Sequence, residues 1–115
     1  MVSTRPYVPQ RGDFVWIDFD PQVGHEQGKR RPALVLSPVS YNQATRLALF
    51  CPVTSKVKGF SYEVSVTGTE RVDGVVLSDQ VKSLDWSLRD ARFIERCSPE
   101  LVQDVLARLI TLVGH

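Results

Sequence analysis

Pro32-Ala33-Leu34-Val35-Leu36-Ser37, closed by Pro38, decides how this chain is read. The run is almost wholly apolar, too short for a helix and bounded by prolines, so it reads as a strand buried on both faces. Working outward, Leu47-Ala48-Leu49-Phe50-Cys51-Pro52-Val53-Thr54 is a second such run. Upstream, Gly12-Asp13 opens Phe14-Val15-Trp16-Ile17-Asp18-Phe19, whose β-branched and aromatic content favours a sheet, and Asp20-Pro21 ends it. Downstream, Tyr62-Glu63-Val64-Ser65-Val66 alternates as a half-buried strand should. Gly74–Ser78 and Gln80–Leu84 follow with Asp79 at a kink between them, and Arg92–Glu95 is one more short strand. Ser98-Pro99-Glu100 starts a helix: an N-cap serine, a proline at the first helical position and an acid near the positive dipole end. Leu101, Val102, Val105, Leu106, Leu109, Ile110 and Val113 form one apolar stripe at helical spacing, and Gly114 stops it. The expected fold class is mainly β with a C-terminal α-helix: a small curled antiparallel sheet or barrel with the helix packed on it.

At 115 residues the chain is expected to be one domain, 1–115, large enough to bury a core without disulfides or a structural metal. A composition of 43% hydrophobic and 23% charged residues excludes disorder as the dominant state. No apolar run reaches a membrane-spanning length, and Met1–Pro6 lacks the apolar segment of a secretory signal, so a cytoplasmic protein is expected. Cys51 and Cys97 lack a CxxC spacing or a histidine cluster, which disfavours a disulfide framework or zinc site. The net charge of +1 hides an uneven distribution. Residues 24–60 carry Lys29, Arg30, Arg31, Arg46, Lys56 and Lys58 against Glu26 alone, a patch suited to an anion. Arginine, the better bidentate phosphate donor, supplies most of the chain's cations.

The loop before the buried strand gathers His25, Glu26 and Arg31, with Pro32 fixing the chain where loop meets sheet. Thr54 ends the other apolar run, followed by Lys56 and Lys58. If those two strands are neighbours, a carboxylate, a fixed cation, a hydroxyl and two lysines converge, a set suited to phosphoryl transfer. Singly, each has a bland alternative as a loop cap, a surface ion pair or an ordinary strand residue. Asp18 and Asp20 lack a third ligand nearby, so a turn role is expected of them. No GxSxG, GxGxxG, GxxxxGK[ST] or HExxH is present, and with His115 at the chain's end a two-histidine ribonuclease is hard to build.

Gly24-His25-Glu26-Gln27-Gly28-Lys29-Arg30-Arg31-Pro32 resembles the G-x-E-Q-x-G-x-R-P signature of the MazF/PemK toxins. The resemblance continues through Ala33–Pro38 with Tyr41-Asn42, through Pro52–Ser55 with Lys58-Gly59, and through Gly74–Trp86. Gly12-Asp13 and Trp16–Pro21 match the start of the family pattern. Lys29 departs from it, standing where the family usually has glycine. The resemblance implies an SH3-like barrel, a homodimer, and a sequence-specific endoribonuclease that cuts single-stranded mRNA without a metal or other cofactor. It implies 2′,3′-cyclic phosphate and 5′-hydroxyl ends, and a cognate antitoxin that lays an acidic C-terminal tail across the groove. By position it makes Arg31 and Thr54 the catalytic pair, with Glu26 in the signature loop as the best carboxylate for a general base. Arginine gives up its proton reluctantly, so Arg31 is assigned to the phosphorane charge. RNA contacts are expected from Gln27, Asn42 and Gln80 toward base edges, from Lys56 and Lys58 toward the backbone, and also from His25, Lys29 and Lys82. Asp79 resembles an acid that some relatives use as base, but the arginine two positions earlier in those relatives is Leu77 here, so Asp79 is kept as an RNA contact.

Two other functions fit a fold of this kind. A CcdB-like gyrase poison is expected to end in a tryptophan-glycine-hydrophobic tip, whereas this chain ends Leu112-Val113-Gly114-His115. It also keeps the Arg31 and Thr54 blocks, which the poison does not need; the other reading is an inactive SH3-like interaction module.

Overall fold

The computed structural model describes residues 6–114. The chain runs β1 (Asp13–Asp18), β2 (Arg30–Val35), α1 (Val39–Thr45), β3 (Leu47–Thr54), β4 (Glu63–Ser65), β5 (Val75–Leu77), β6 (Lys82–Asp85), β7 (Arg92–Arg96) and α2 (Pro99–Val113). All pairings are antiparallel, in the order β4-β5-β3-β2-β1-β7, with β6 also on β3. The strands expected from the sequence all form, with ends displaced by one or two residues; β2 begins at Arg30 rather than Pro32.

β3 is the organising strand. One edge pairs with β2; the other pairs first with β6 over Leu47–Phe50 and then with β5 over Val53–Thr54. The turn between β5 and β6, carrying Asp79 and Gln80, therefore sits at a fork in the sheet. The sheet stays open but curls until its edges approach. The Glu95 carboxylate on β7 accepts the backbone N–H groups of Glu70 (3.1 Å) and Arg71 (2.6 Å), from the loop leading to β5. The Arg108 guanidinium of α2 donates to the Ser61 carbonyl ahead of β4.

β2 separates two cores, as its unbroken apolar run requires. Leu34 and Leu36 join the core under α2, with Phe14, Cys51, Val76, Leu101 and Val105. Ala33 and Val35 join the opposite core, with Ile17, Phe50 and Trp86. The Ser98 hydroxyl caps α2 by accepting the Leu101 N–H at 3.2 Å. Leu101, Val102 and Val105 of the α2 stripe are buried, and Leu106 and Leu109 pack partly buried against the same core. Ile110 and Val113 are 57% and 70% exposed, so the helix outruns the sheet it packs on.

α1 is an addition to the sequence reading, and it corrects one assignment. Asn42, expected to contact RNA, is fully buried. Its Nδ2 donates to the carbonyls of Pro9 (2.8 Å) and Ser37 (3.0 Å), and its Oδ1 accepts from the Ser37 hydroxyl at 2.5 Å. Its own carbonyl accepts from the Trp86 indole at 2.9 Å. Asn42 thus pins the N-terminal arm and the β6–β7 turn to α1, out of reach of any groove. Asn42→Ala is expected to destabilise the fold by about 2–3 kcal/mol, because buried carbonyls lose their donor. A urea titration measures this; an unchanged midpoint would contradict it.

Candidate active-site groove

Arg31 lies near the start of β2 and Thr54 ends β3. The β2–β3 register pairs Ala33 with Pro52, and two further steps along it set Arg31 opposite Thr54. The neighbouring strands that convergence required are thus present. The Arg31 guanidinium is held by two carbonyls: Nε donates to Gly28 at 2.8 Å and Nη1 to Val53 at 3.5 Å. Partial burial lowers its pKa from the ordinary arginine value, and Asp20 opposes the shift. Thr54 is buried, and its hydroxyl oxygen accepts the Lys56 N–H at 3.2 Å, which starts the turn after β3. Gly74, at φ +107°, lets β5 begin against this point; a Cβ there would stand 2.2 Å from the Thr54 carbonyl oxygen.

The loop between β1 and β2 folds back over this junction. The Phe19 N–H donates to the Lys29 carbonyl at 2.9 Å, and the Lys29 N–H donates to Oδ1 of Asp20 at 2.5 Å. Oδ1 of Asp18 accepts the Asp20 N–H at 2.9 Å, so both aspartates take turn roles. Lys29 itself adopts the left-handed conformation, φ +64°. Farther out, the Gln27 N–H donates to Oε1 of Gln80 at 3.0 Å, and the Lys82 ammonium meets the Glu26 carboxylate at 2.8 Å. These two contacts tie the loop to the β5–β6 turn.

The result is a groove of about 810 Å³ between the β1–β2 loop, the β3–β4 loop and the fork turn. It brings together Glu26, Arg31 and Thr54. His25, Gln27 and Lys29 line it from the first loop, Lys56 and Lys58 from the second, and Asp79 and Gln80 from the turn. Lys82 reaches it only through Glu26. The Asp79 carboxyl has its pKa raised by burial and, to a lesser extent, by the charge of Glu63. Two groove residues escaped the sequence reading: Phe60 and Tyr62, whose rings stack 5.3 Å apart with 21° between their planes. The signal was available, since two aromatics closely following Lys56 and Lys58 fit a nucleic-acid surface. Glu63 shapes the same loop, its carboxylate accepting the N–H groups of Lys58 and Gly59. The thiols stand apart from this chemistry. Burial pushes Cys51 up to about 12 and Cys97 up to about 11, far from the thiolate a nucleophile needs.

A family profile described as PemK-like, MazF-like toxin of type II toxin-antitoxin system matches residues 10–113. The endoribonuclease toxin MazF of Escherichia coli K12 is 47% identical over 108 residues, covering 94% of this chain and 96% of the relative. The endoribonuclease PemK of Escherichia coli is 35% identical over 109 residues, covering 90% and 81%. Among solved structures, MazF from Deinococcus radiodurans superposes with a TM-score of 0.92 at 47% identity, covering 96% of this chain and 100% of that one. A MazF chain in a MazE–MazF complex from the same organism gives 0.85 at 48% identity, covering 95% and 98%. The chain belongs to the PemK/MazF family of toxins from type II toxin–antitoxin systems.

Proposed function

We propose that this groove cleaves single-stranded RNA by attack of the substrate's own 2′-oxygen on the adjacent phosphorus. The coarser statement follows from the family: the chain is a MazF-like endoribonuclease toxin. The observation that carries the finer one is the arrangement of Arg31 at the β2–β3 junction, opposite Thr54 and facing the same groove as Glu26. The Glu26 carboxylate takes the proton from the 2′-hydroxyl. The 2′-oxygen–phosphorus bond forms as the phosphorus–5′-oxygen bond breaks, and the departing 5′-oxygen takes a proton from water. Arg31, fixed by the Gly28 and Val53 carbonyls, offers its remaining N–H groups to the charge gathering on the phosphorane. The Thr54 hydroxyl donates to the same oxygens. Lys29, Lys56 and Lys58 follow the backbone phosphates, while His25, Gln27 and Gln80 meet base edges. Lys82 contributes by holding Glu26. Asp79 contacts the RNA from the fork turn.

The active form is a cytoplasmic homodimer, and the cognate antitoxin inhibits it by laying an acidic tail along the cationic groove. Solved relatives in MazE–MazF complexes support that partner, and the concentration of cations at residues 24–60 supports its charge. No helix among the described residues is long and apolar enough to cross a membrane.

The test is digestion of a long single-stranded transcript in EDTA with end-group analysis of the fragments. Undiminished cutting, with cyclic phosphate and free 5′-hydroxyl ends, is expected. Loss of activity in EDTA, or 5′-phosphate ends, would replace this chemistry with metal-activated water. No cleavage under any condition would favour a gyrase poison or a plain interaction module.

A further inference from the structure

Phe60 and Tyr62 occupy the groove wall formed by the β3–β4 loop, beyond Lys56 and Lys58 from the Arg31–Thr54 junction in chain order. Phe60 stands half-exposed on the polar rim of the groove. It is 51% exposed even though Tyr62 covers one side of its ring. The pair is not loosely placed. The Tyr62 carbonyl accepts both the N–H (3.1 Å) and the hydroxyl (2.5 Å) of Ser78 from the fork turn. The Glu63 carboxylate gathers the N–H groups of Lys58 and Gly59, and the Glu63 N–H donates to the Phe60 carbonyl at 3.1 Å. The loop between the lysines and β4 is thus tied at both ends, with its aromatic rings still presented to the groove.

A rigid, half-exposed ring beside two lysines has the two elements of a single-strand binding surface: a π-face for a base and cations for the flanking phosphates. We propose that Phe60, backed by Tyr62, is a stacking subsite for one unpaired base of the RNA strand, lying away from the scissile phosphate. This rests on the reading of the groove as an RNA site. It adds a residue that sets how the strand lies in the groove. A stacked ring tolerates any base, so Phe60 contributes affinity and register, and the loop amides contribute sequence preference.

The experiment is an abasic scan. A short single-stranded RNA spanning a mapped cut site, with a 2′-deoxy sugar at that cut, is made with one base deleted at each position in turn. Binding is measured by anisotropy for the wild type, Phe60→Ala, Phe60→Leu and Phe60→Tyr. In the wild type one position away from the cut is expected to lose about tenfold in affinity when its base is removed. Phe60→Ala is expected to lose about as much with the intact RNA and to show no further loss at that position. Phe60→Leu keeps apolar bulk without the π-face and should resemble alanine, while Phe60→Tyr should restore binding. Equal abasic penalties in wild type and Phe60→Ala, or full affinity in Phe60→Leu, would overturn the subsite while leaving the cleavage chemistry untouched. The expected Phe60 dependence together with 5′-phosphate ends at the mapped cut would keep the subsite and replace the chemistry. If an acidic peptide binds with the same Phe60 dependence and RNA does not bind, the surface belongs to a protein partner and the subsite is overturned.

Discussion

Arg31→Ala is expected to lower the rate of RNA cleavage by more than about 100-fold, the scale of losing a fixed donor to developing charge. The guanidinium is held at the β2–β3 junction by the Gly28 and Val53 carbonyls, so its position costs nothing at the moment of reaction. A lysine at the same place keeps the charge but loses the planar fork and the two-carbonyl clamp. Arg31→Lys should therefore recover only part of the loss. Thr54→Ala should cost less than Arg31→Ala, since it removes one neutral donor. The fold should survive Arg31→Ala, because the side chain packs in neither core. Single-turnover cleavage alongside thermal melting separates the two effects. Cutting at the wild-type rate by a folded Arg31→Ala protein would remove the site assignment.

A single 2′-deoxy sugar just 5′ of the scissile phosphate is expected to abolish cleavage at that phosphate while leaving binding nearly intact. The nucleophile in the proposed chemistry already belongs to the substrate, on the sugar carbon next to the one that carries the scissile phosphate, so much of the rate comes from proximity rather than from an activated external group. Neither cysteine thiol stands ready to replace it. The Cys51 and Cys97 thiols are buried in the cores with their pKa values raised to about 12 and about 11. Deoxy substitution elsewhere in the strand should have little effect. Efficient cutting at the substituted position would require water or a protein nucleophile, and the role given to Glu26 would fall with the 2′-oxygen.

The sheet was legible because burial on both faces leaves a strong trace. Ala33–Leu36 is uninterruptedly apolar since consecutive side chains enter different cores. The capping serine and Pro99 likewise marked α2, but the apolar stripe could not reveal where the sheet would stop beneath it, leaving Ile110 and Val113 outside. α1 stayed hidden for a physical reason. It has only seven residues, follows Pro38 without a side-chain cap, and ends at Arg46 in a left-handed conformation that nothing in its side chain announces. Asn42 looked like a free amide in a loop. Its partners, at Pro9, Ser37 and Trp86, lie 33, 5 and 44 positions away and are joined only by the tertiary fold. The groove was more accessible to reading, because Arg31, Thr54 and Glu26 needed only that β2 and β3 be neighbours. Phe60 and Tyr62 were passed over because they sit at the border of a short alternating strand, where aromatic residues are ordinarily counted toward the sheet.

Lys29 carries a consequence for how such a groove varies between relatives. A non-glycine residue at φ +64° bears strain of roughly 1–2 kcal/mol. Glycine would relieve it, yet would also free the unfolded chain, and that entropy is worth roughly 0.4–1 kcal/mol in the other direction. The strain is the larger of the two, so glycine here would favour folding by up to about 1 kcal/mol. The exchange also alters one positive charge at the rim of the groove. On the proposed reading of the groove as an RNA site, a single codon would thereby tune how steeply affinity for the strand falls with ionic strength, by close to one phosphate's share of released counterions. Ionic strength, as well as stability, is then a condition under which the two variants would diverge.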